Sequence, residues 1–145
     1  MDVVSKEVRS RMMSNIRAVS KLESLVAKEL WRKGARFRRN EKNLLGKPDI
    51  SIKKYRVVIF IDSCYWHSCP MHRVTPKSNT AFWEEKFRAN MDRDKEVNGY
   101  YHTIGWNILR VWEHAFRQDF DGAVQSIYNY ILKCKHENEA PSNNE

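Results

Sequence analysis

Apolar positions along this chain fall into blocks whose period changes at glycines and prolines. Leu22, Leu25, Val26 and Leu30 recur at helical spacing. Ser20-Lys21-Leu22-Glu23 reads as a capping box opening that helix, and Gly34 is placed to stop it. Ahead of it, residues 1–19 mix Arg, Lys, Ser and Met with weak periodicity and read as a short helix or an arm ordered on a partner. Ala35–Arg39 is a candidate short strand, and Asn43–Pro48 is a turn region. Asp49–Ile52 and Tyr55–Asp62 then read as two strands of a hairpin, with Lys53 and Lys54 near its tip. The second strand holds Val57-Val58-Ile59-Phe60-Ile61, a continuous apolar run that suits a strand covered on both faces.

Residues 63–79 have no period. A loop of that length inside a small domain is usually functional or held by a staple. A long helix is expected over about Thr80–His102, with Trp83, Phe87 and Met91 on one face and Gly105 ending it. Trp106–Trp112 alternates toward a strand. A last helix over about 120–133 buries Val124, Ile127, Tyr128, Ile131 and Leu132. The polar stretch 136–145 reads as a disordered tail. The order predicts an α/β fold: a three-layer α/β/α sandwich around a mixed central sheet, formed by residues 1–135 as one domain.

Length and composition agree with that picture. The chain has 145 residues, 41% hydrophobic and 30% charged, which is globular rather than disordered composition. No apolar run approaches the roughly 18 residues of a membrane span, so a soluble, non-secreted protein is expected. Charge changes the picture more. The net charge is +8, and residues 1–40 carry eleven Lys or Arg against four Asp or Glu. A basic end of this kind points to a polyanionic partner, nucleic acid first.

The three cysteines do not suit a disulfide framework, and a chain without a secretion signal favours metal binding instead. Cys64-x4-Cys69-x2-His72 offers two thiolates and an imidazole within nine residues, a soft donor set that favours tetrahedral zinc. The fourth ligand must come from elsewhere. His114, just past the strand ending at Trp112, is the candidate, with His67, His102 and, more weakly, Cys134 as competitors.

Two carboxylates mark the hairpin. Asp49 opens its first strand after Gly46-Lys47-Pro48, and Asp62 closes the second. Nucleases of the PD-(D/E)xK class hold magnesium on such a pair, using hard oxygen ligands, retained waters and substrate phosphate. The lysine that this class places two residues after the second acid is replaced here by Cys64. His67, within the loop, is available for proton transfer near neutral pH.

Several separated stretches, taken together, resemble one family. They are Cys-Tyr-Trp-His-x-Cys-Pro-x-His (64–72), Gly-Lys-Pro-Asp (46–49), Val58–Asp62, Phe82-Trp83-x-x-Lys86, Val111-Trp112-Glu113 and Arg9-Ser10-x-Met12-x-x-Asn15-Ile16. In order and spacing, across roughly residues 5–130, they are similar to the very-short-patch-repair (Vsr) mismatch endonucleases of bacteria. The resemblance implies a PD-(D/E)xK-like fold with a structural zinc. It implies magnesium-dependent nicking of the phosphodiester 5′ to the T of a T:G mispair, left when a methylated cytosine deaminates.

By position, Asp49 and the Ile61 carbonyl would hold magnesium, His67 would act at the scissile phosphate, and Asp62 and Glu23 would belong to the site. Zinc would sit on Cys64, Cys69, His72 and His114, where many members carry Cys in the last place. Tyr65, Trp66 and Trp83 would form an aromatic wedge entering the stack beside the mispair, and Arg9, Arg11 and Arg17 of the arm (1–19) would grip phosphates. The implied setting is a monomer in the bacterial cytoplasm, on nucleoid DNA. Mismatch-repair proteins and a cognate cytosine methyltransferase are the partners the resemblance adds. Two other readings use the same residues: a sequence-specific restriction or homing-type nuclease, and a non-catalytic zinc module that binds DNA.

Overall fold

The computed structural model describes residues 6–64 and 80–139. Helix α1 spans Lys6–Arg32 without a break. The expected arm and the expected first helix are therefore one element, and the Ser20–Glu23 capping box caps nothing. A cap signal opens a helix only where the chain ahead is non-helical, and here it is already helical. Val26 and Leu30 are fully buried and Leu22 partly so, while Leu25, expected beside them, is 47% exposed. After α1, Gly34 takes φ 111, and the Ala35 N–H donates back to the Leu30 carbonyl. This is the αL exit that glycine makes cheap.

Strand β1 is only Arg38–Arg39, β2 is Ile50–Ile52 and β3 is Val57–Asp62. A 3₁₀ turn over Lys53–Tyr55, with Arg56 at φ 55, closes the β2–β3 hairpin. Helix α2 covers Thr80–Thr103, β4 covers Asn107–Trp112, a short α3 covers Glu113–Gln118 and α4 runs over Phe120–Glu139. The sheet order is β1-β2-β3-β4. The first two pairings are antiparallel, while β4 lies parallel to β3 in the register Val57↔Asn107 to Asp62↔Trp112. The mixed sheet is thus observed.

Every residue of β3 is buried. Its alternate side chains feed two separate clusters. Val57, Ile59 and Ile61 join Val26 and Leu30 of α1, Phe116 of α3, and Val124, Ile127 and Ile131 of α4. Val58 and Phe60 join Val97 and Tyr101 of α2. Helices therefore cover both faces of the sheet. Trp83 and Phe87 of α2 are buried, but Met91 is 40% exposed. The α4 helix passes position 133 and takes in residues 136–139, which the sequence assigned to a tail.

Candidate active site

The hairpin and α1 bring three carboxyl-bearing positions to one corner. Asp49 precedes β2, and its direction is fixed from several sides. The Asn40 N–H donates to the Asp49 carbonyl at 3.2 Å, and the Ile61 N–H donates to Asp49 Oδ2 at 2.7 Å. The turn before it is tight: Gly46 and Lys47 take φ 79 and 51, and the Lys47 N–H donates to the Leu44 carbonyl at 3.0 Å. A Cβ on Gly46 would lie 3.0 Å from Val97 Cγ1 and 3.3 Å from a Phe60 ring carbon, so α2 and β3 close over this turn.

Glu23 comes from the middle of α1, and its carboxyl hydrogen-bonds to Asp49. Partial burial, the facing Asp49 charge and that hydrogen bond push its pKa from 4.5 to about 8, against the pull of Arg39 and Lys47. Two carboxyls this close resist joint ionisation, so one proton is held between them. Glu23 thus lies beside Asp49 on the cavity wall rather than at a helix cap.

The pair opens into a cavity of about 640 Å³, lined among others by Glu23, Lys47, Asp49, Asp62, Lys86, Arg93, Asp94 and Arg110. Four acids thus face four bases around it. Asp62 is buried at the end of β3, and its Oδ1 accepts from Arg110 Nη1 at 2.8 Å. Arg110 had no place in the sequence reading. Only the parallel register of β4, which sets it opposite Phe60, brings it to Asp62, and local patterning carries no signal of that pairing.

Hard oxygen donors at Asp49 and Glu23 fit magnesium, whose preferred ligands are carboxylate, carbonyl and water. A cation between them would relieve the repulsion that raises the Glu23 pKa. Just past this same end of β3, Cys64 Sγ and His114 Nδ1 lie 3.3 Å apart. Two ligands of one tetrahedral zinc sit about 3.5 Å apart for sulfur and nitrogen at their usual bond lengths. The corner is pinned by Glu113, which accepts from the Cys64 N–H at 2.9 Å and pairs with Arg117 at 2.7 Å.

Cys69 and His72 lie outside the described residues, as do His67, Tyr65 and Trp66. Among the described residues no group of three metal-ligating side chains occurs. Of the competitors for the fourth place, Cys134 is buried in the α1/α4 cluster and His102 is exposed at the end of α2.

Trp83, expected in the wedge, is only 1% exposed and packs against Phe82 and Phe87 at ring separations of 5.3 and 6.1 Å. Its helical spacing with Phe87 puts both rings on the inner face of α2. Phe82, 43% exposed, is the ring that this turn offers to solvent. Arg9, Arg11 and Arg17 lie on α1, with side chains outside the described set.

A helix-covered mixed sheet with a carboxyl pair at a cavity of mixed charge suits a phosphodiester hydrolase, and comparison with known proteins makes it a DNA endonuclease. The profile of the family described as DNA mismatch endonuclease Vsr matches residues 1–73. The chain is 36% identical over 122 residues to the DNA mismatch endonuclease Vsr of Escherichia coli K12, covering 80% of this chain and 76% of that one. It is 39% identical over 129 residues to the type II nicking enzyme V.NaeI of Lentzea aerocolonigenes, covering 85% and 78%. It is 41% identical over 116 residues to the type II nicking enzyme V.HpaIIP of Haemophilus parainfluenzae, covering 77% and 82%. The chain belongs to the Vsr family of DNA mismatch endonucleases. No described helix is long and apolar enough to cross a membrane.

Proposed function

We propose that this endonuclease nicks one strand of duplex DNA, 5′ to the T of a T:G mispair, with magnesium at the Glu23–Asp49 corner. The observation that carries the reading is the hydrogen-bonded carboxyl pair of Glu23 and Asp49, set beside the Ile61 backbone in a cavity that also presents four basic side chains. Magnesium held there would supply polarisation of a phosphoryl oxygen and activation of water. Asp49 and Glu23 would hold it, with the Ile61 carbonyl completing the protein's share, and Lys47, Lys86 and Arg93 would draw the DNA phosphates into the cavity. His67 would exchange the proton at the scissile phosphate, and Asp62 would stand beside it as an acceptor.

Zinc on Cys64, Cys69, His72 and His114 would tie the 63–79 loop, and with it His67, to the end of β3. The Cys64–His114 approach supports that arrangement. Tyr65 and Trp66 would enter the stack at the mispair, where unstacking is cheapest. Trp83, buried in the free protein, would reach DNA only after a shift of α2. The fold fits the PD-(D/E)xK arrangement of acids at neighbouring strand ends. The substrate would be cytoplasmic DNA carrying deaminated methylcytosine, met by a monomer. A cognate methyltransferase would create the lesion's parent base, and mismatch-repair proteins would share the substrate.

The test is a nicking assay on matched pairs of labelled duplexes, T:G and T:A in the same sequence, with magnesium present or omitted. Cleavage confined to the T-strand of T:G duplexes and to magnesium is expected. Equal cleavage of both strands of T:A duplexes would replace the reading with that of a restriction-type nuclease. Binding of both duplexes with no cleavage in any context would leave a DNA-binding module.

A further inference from the structure

Arg110 is held in the cavity wall from several sides. Its guanidinium lies over the Phe60 ring at 4.3 Å. Nε donates to Asn98 Oδ1 at 2.6 Å, Nη1 to Asp62 Oδ1 at 2.8 Å, and Nη2 faces Asp94 at 3.7 Å. The side chain is only 17% exposed. Phe60 and Asp62 lie on β3, Asn98 and Asp94 lie on α2, and Arg110 itself lies on β4. One planar group therefore joins three elements, in the fork geometry that a lysine cannot reproduce.

The two joined elements carry opposite halves of the cavity. The end of β3 presents the Ile61 backbone, whose N–H fixes Asp49. The facing stretch of α2 presents Lys86, Asn90 and Arg93. The apolar contacts between these layers, Val58 and Phe60 with Val97 and Tyr101, reach the cavity wall at Phe60 and Val97 and take in no residue of β3 beyond Phe60. Past Phe60, Arg110 joins the layers through charge, with Asp62 on one side and Asp94 on the other.

We propose that Arg110 is a positioning residue for strand cleavage. It clamps α2 to the end of β3, so that the cations on α2 and the Asp49 corner meet a single phosphate at a fixed separation. Arg110 does this through Asp62 and Asn98 and makes no contact with the DNA. Asp62 on this view is a bridging acceptor whose direction Arg110 sets. The inference rests on the cavity being the cleavage site.

The test compares Arg110→Met, Arg110→Lys and Asp49→Ala in the full chain on a T:G duplex with magnesium. Duplex affinity is measured separately without added divalent cation, and melting by circular dichroism shows that each variant is folded at the assay temperature. For Arg110→Met the expected result is a fall in kcat of about 10²-fold, the usual consequence of a misplacement near 1 Å. KM and metal-free duplex affinity should stay within about threefold, because ground-state binding is not what the clamp supplies. Arg110→Lys, which keeps the charge but not the fork, should fold and recover only part of kcat. If Arg110→Met does not fold, Arg110→Lys decides alone: wild-type kcat overturns the proposal, and a loss with unchanged KM upholds it.

A folded Arg110→Met with wild-type kcat overturns it, whatever its melting temperature. A loss confined to KM and duplex affinity overturns it also, since Arg110 would then be a DNA contact. Asp49→Ala separates the two levels: if that variant still cuts, the site reading fails, whereas a dead Asp49→Ala beside an active Arg110→Met removes only the clamp.

Discussion

The two faces of β3 are made by one strand yet built differently. One face sets Val57, Ile59 and Ile61 against α1, α3 and α4 in a buried apolar cluster that also takes in Leu30 and Ile127 at 0% exposure. The other sets Val58 and Phe60 against α2, with Leu44, Trp106 and Ile108 at its edge, and past Phe60 the apolar contact gives way to Asp62, Arg110 and Asp94 around the cavity. The first face carries stability through area removed from water. The second gives up that area to hold charge at a fixed place. The site lies where the core thins.

Substitutions on each side should separate these roles. The largest expected effect is on chemistry: Asp49→Ala should lower the nicking rate by about 10³-fold or more, the scale of losing an electrostatic anchor for the transition state. Its duplex affinity should stay within about tenfold, as measured by titration at fixed salt. Retention of full nicking would move the site elsewhere. On the sealed face, Leu30→Ala should cost about 2–5 kcal/mol in urea unfolding, as deletions in a filled core do. A cost near that of an exposed leucine would show that the face is not sealed.

A smaller effect comes from pH. The Glu23 pKa is raised to about 8 in the fold against 4.5, so the folded chain holds a proton between those values that the unfolded chain has released. Without divalent metal, stability contributed by this group is therefore full below about 4.5 and is lost as pH rises through about 8. Glu23 is half-buried, and after allowance for solvent screening the loss is on the order of 1–2 kcal/mol. Chemical unfolding from pH 5 to pH 9 should show it, and Glu23→Gln should flatten the curve. A wild-type curve that rises over that range would contradict the shared proton.

The smallest effect belongs to Tyr101, whose hydroxyl donates to the Leu45 carbonyl at 2.6 Å and whose pKa burial pushes up to about 12. Tyr101→Phe should cost about 1 kcal/mol, the net worth of one such hydrogen bond. It should also speed amide exchange in residues 44–47.

Much of this was legible in the chain. The Val57–Ile61 run reads as a strand covered on both faces, because unbroken apolar residues leave no side for water, and β3 is buried throughout. Asp49 and Asp62 read as strand-end acids because a hairpin must bring such ends together. Cys64 and His114 read as neighbours and stand 3.3 Å apart. What escaped depends on distant chain. A local capping signal at Ser20–Glu23 could not show that residues before it were already helical. Trp83 is exposed or buried according to what lies over α2, and its spacing alone cannot say which. Arg110 looked like an ordinary strand residue, since its pairing with Asp62 comes from the register of two strands 48 positions apart.

The closed turn at Gly46 has a further consequence for how such an enzyme can vary. Val97 and Phe60 leave no room for a side chain there, and the φ of 79 is one that other residues resist. The stretch from Gly46 to Asp49 therefore behaves as a ruler of fixed length between the wall made by α2 and the metal corner. Residues 41–43 lie outside the contacts through which Asn40, Leu44 and Leu45 hold this stretch, and they can change with less effect on the carboxylate. Diversity is then freest at 41–43, while an insertion of even one residue between 46 and 49 would displace Asp49.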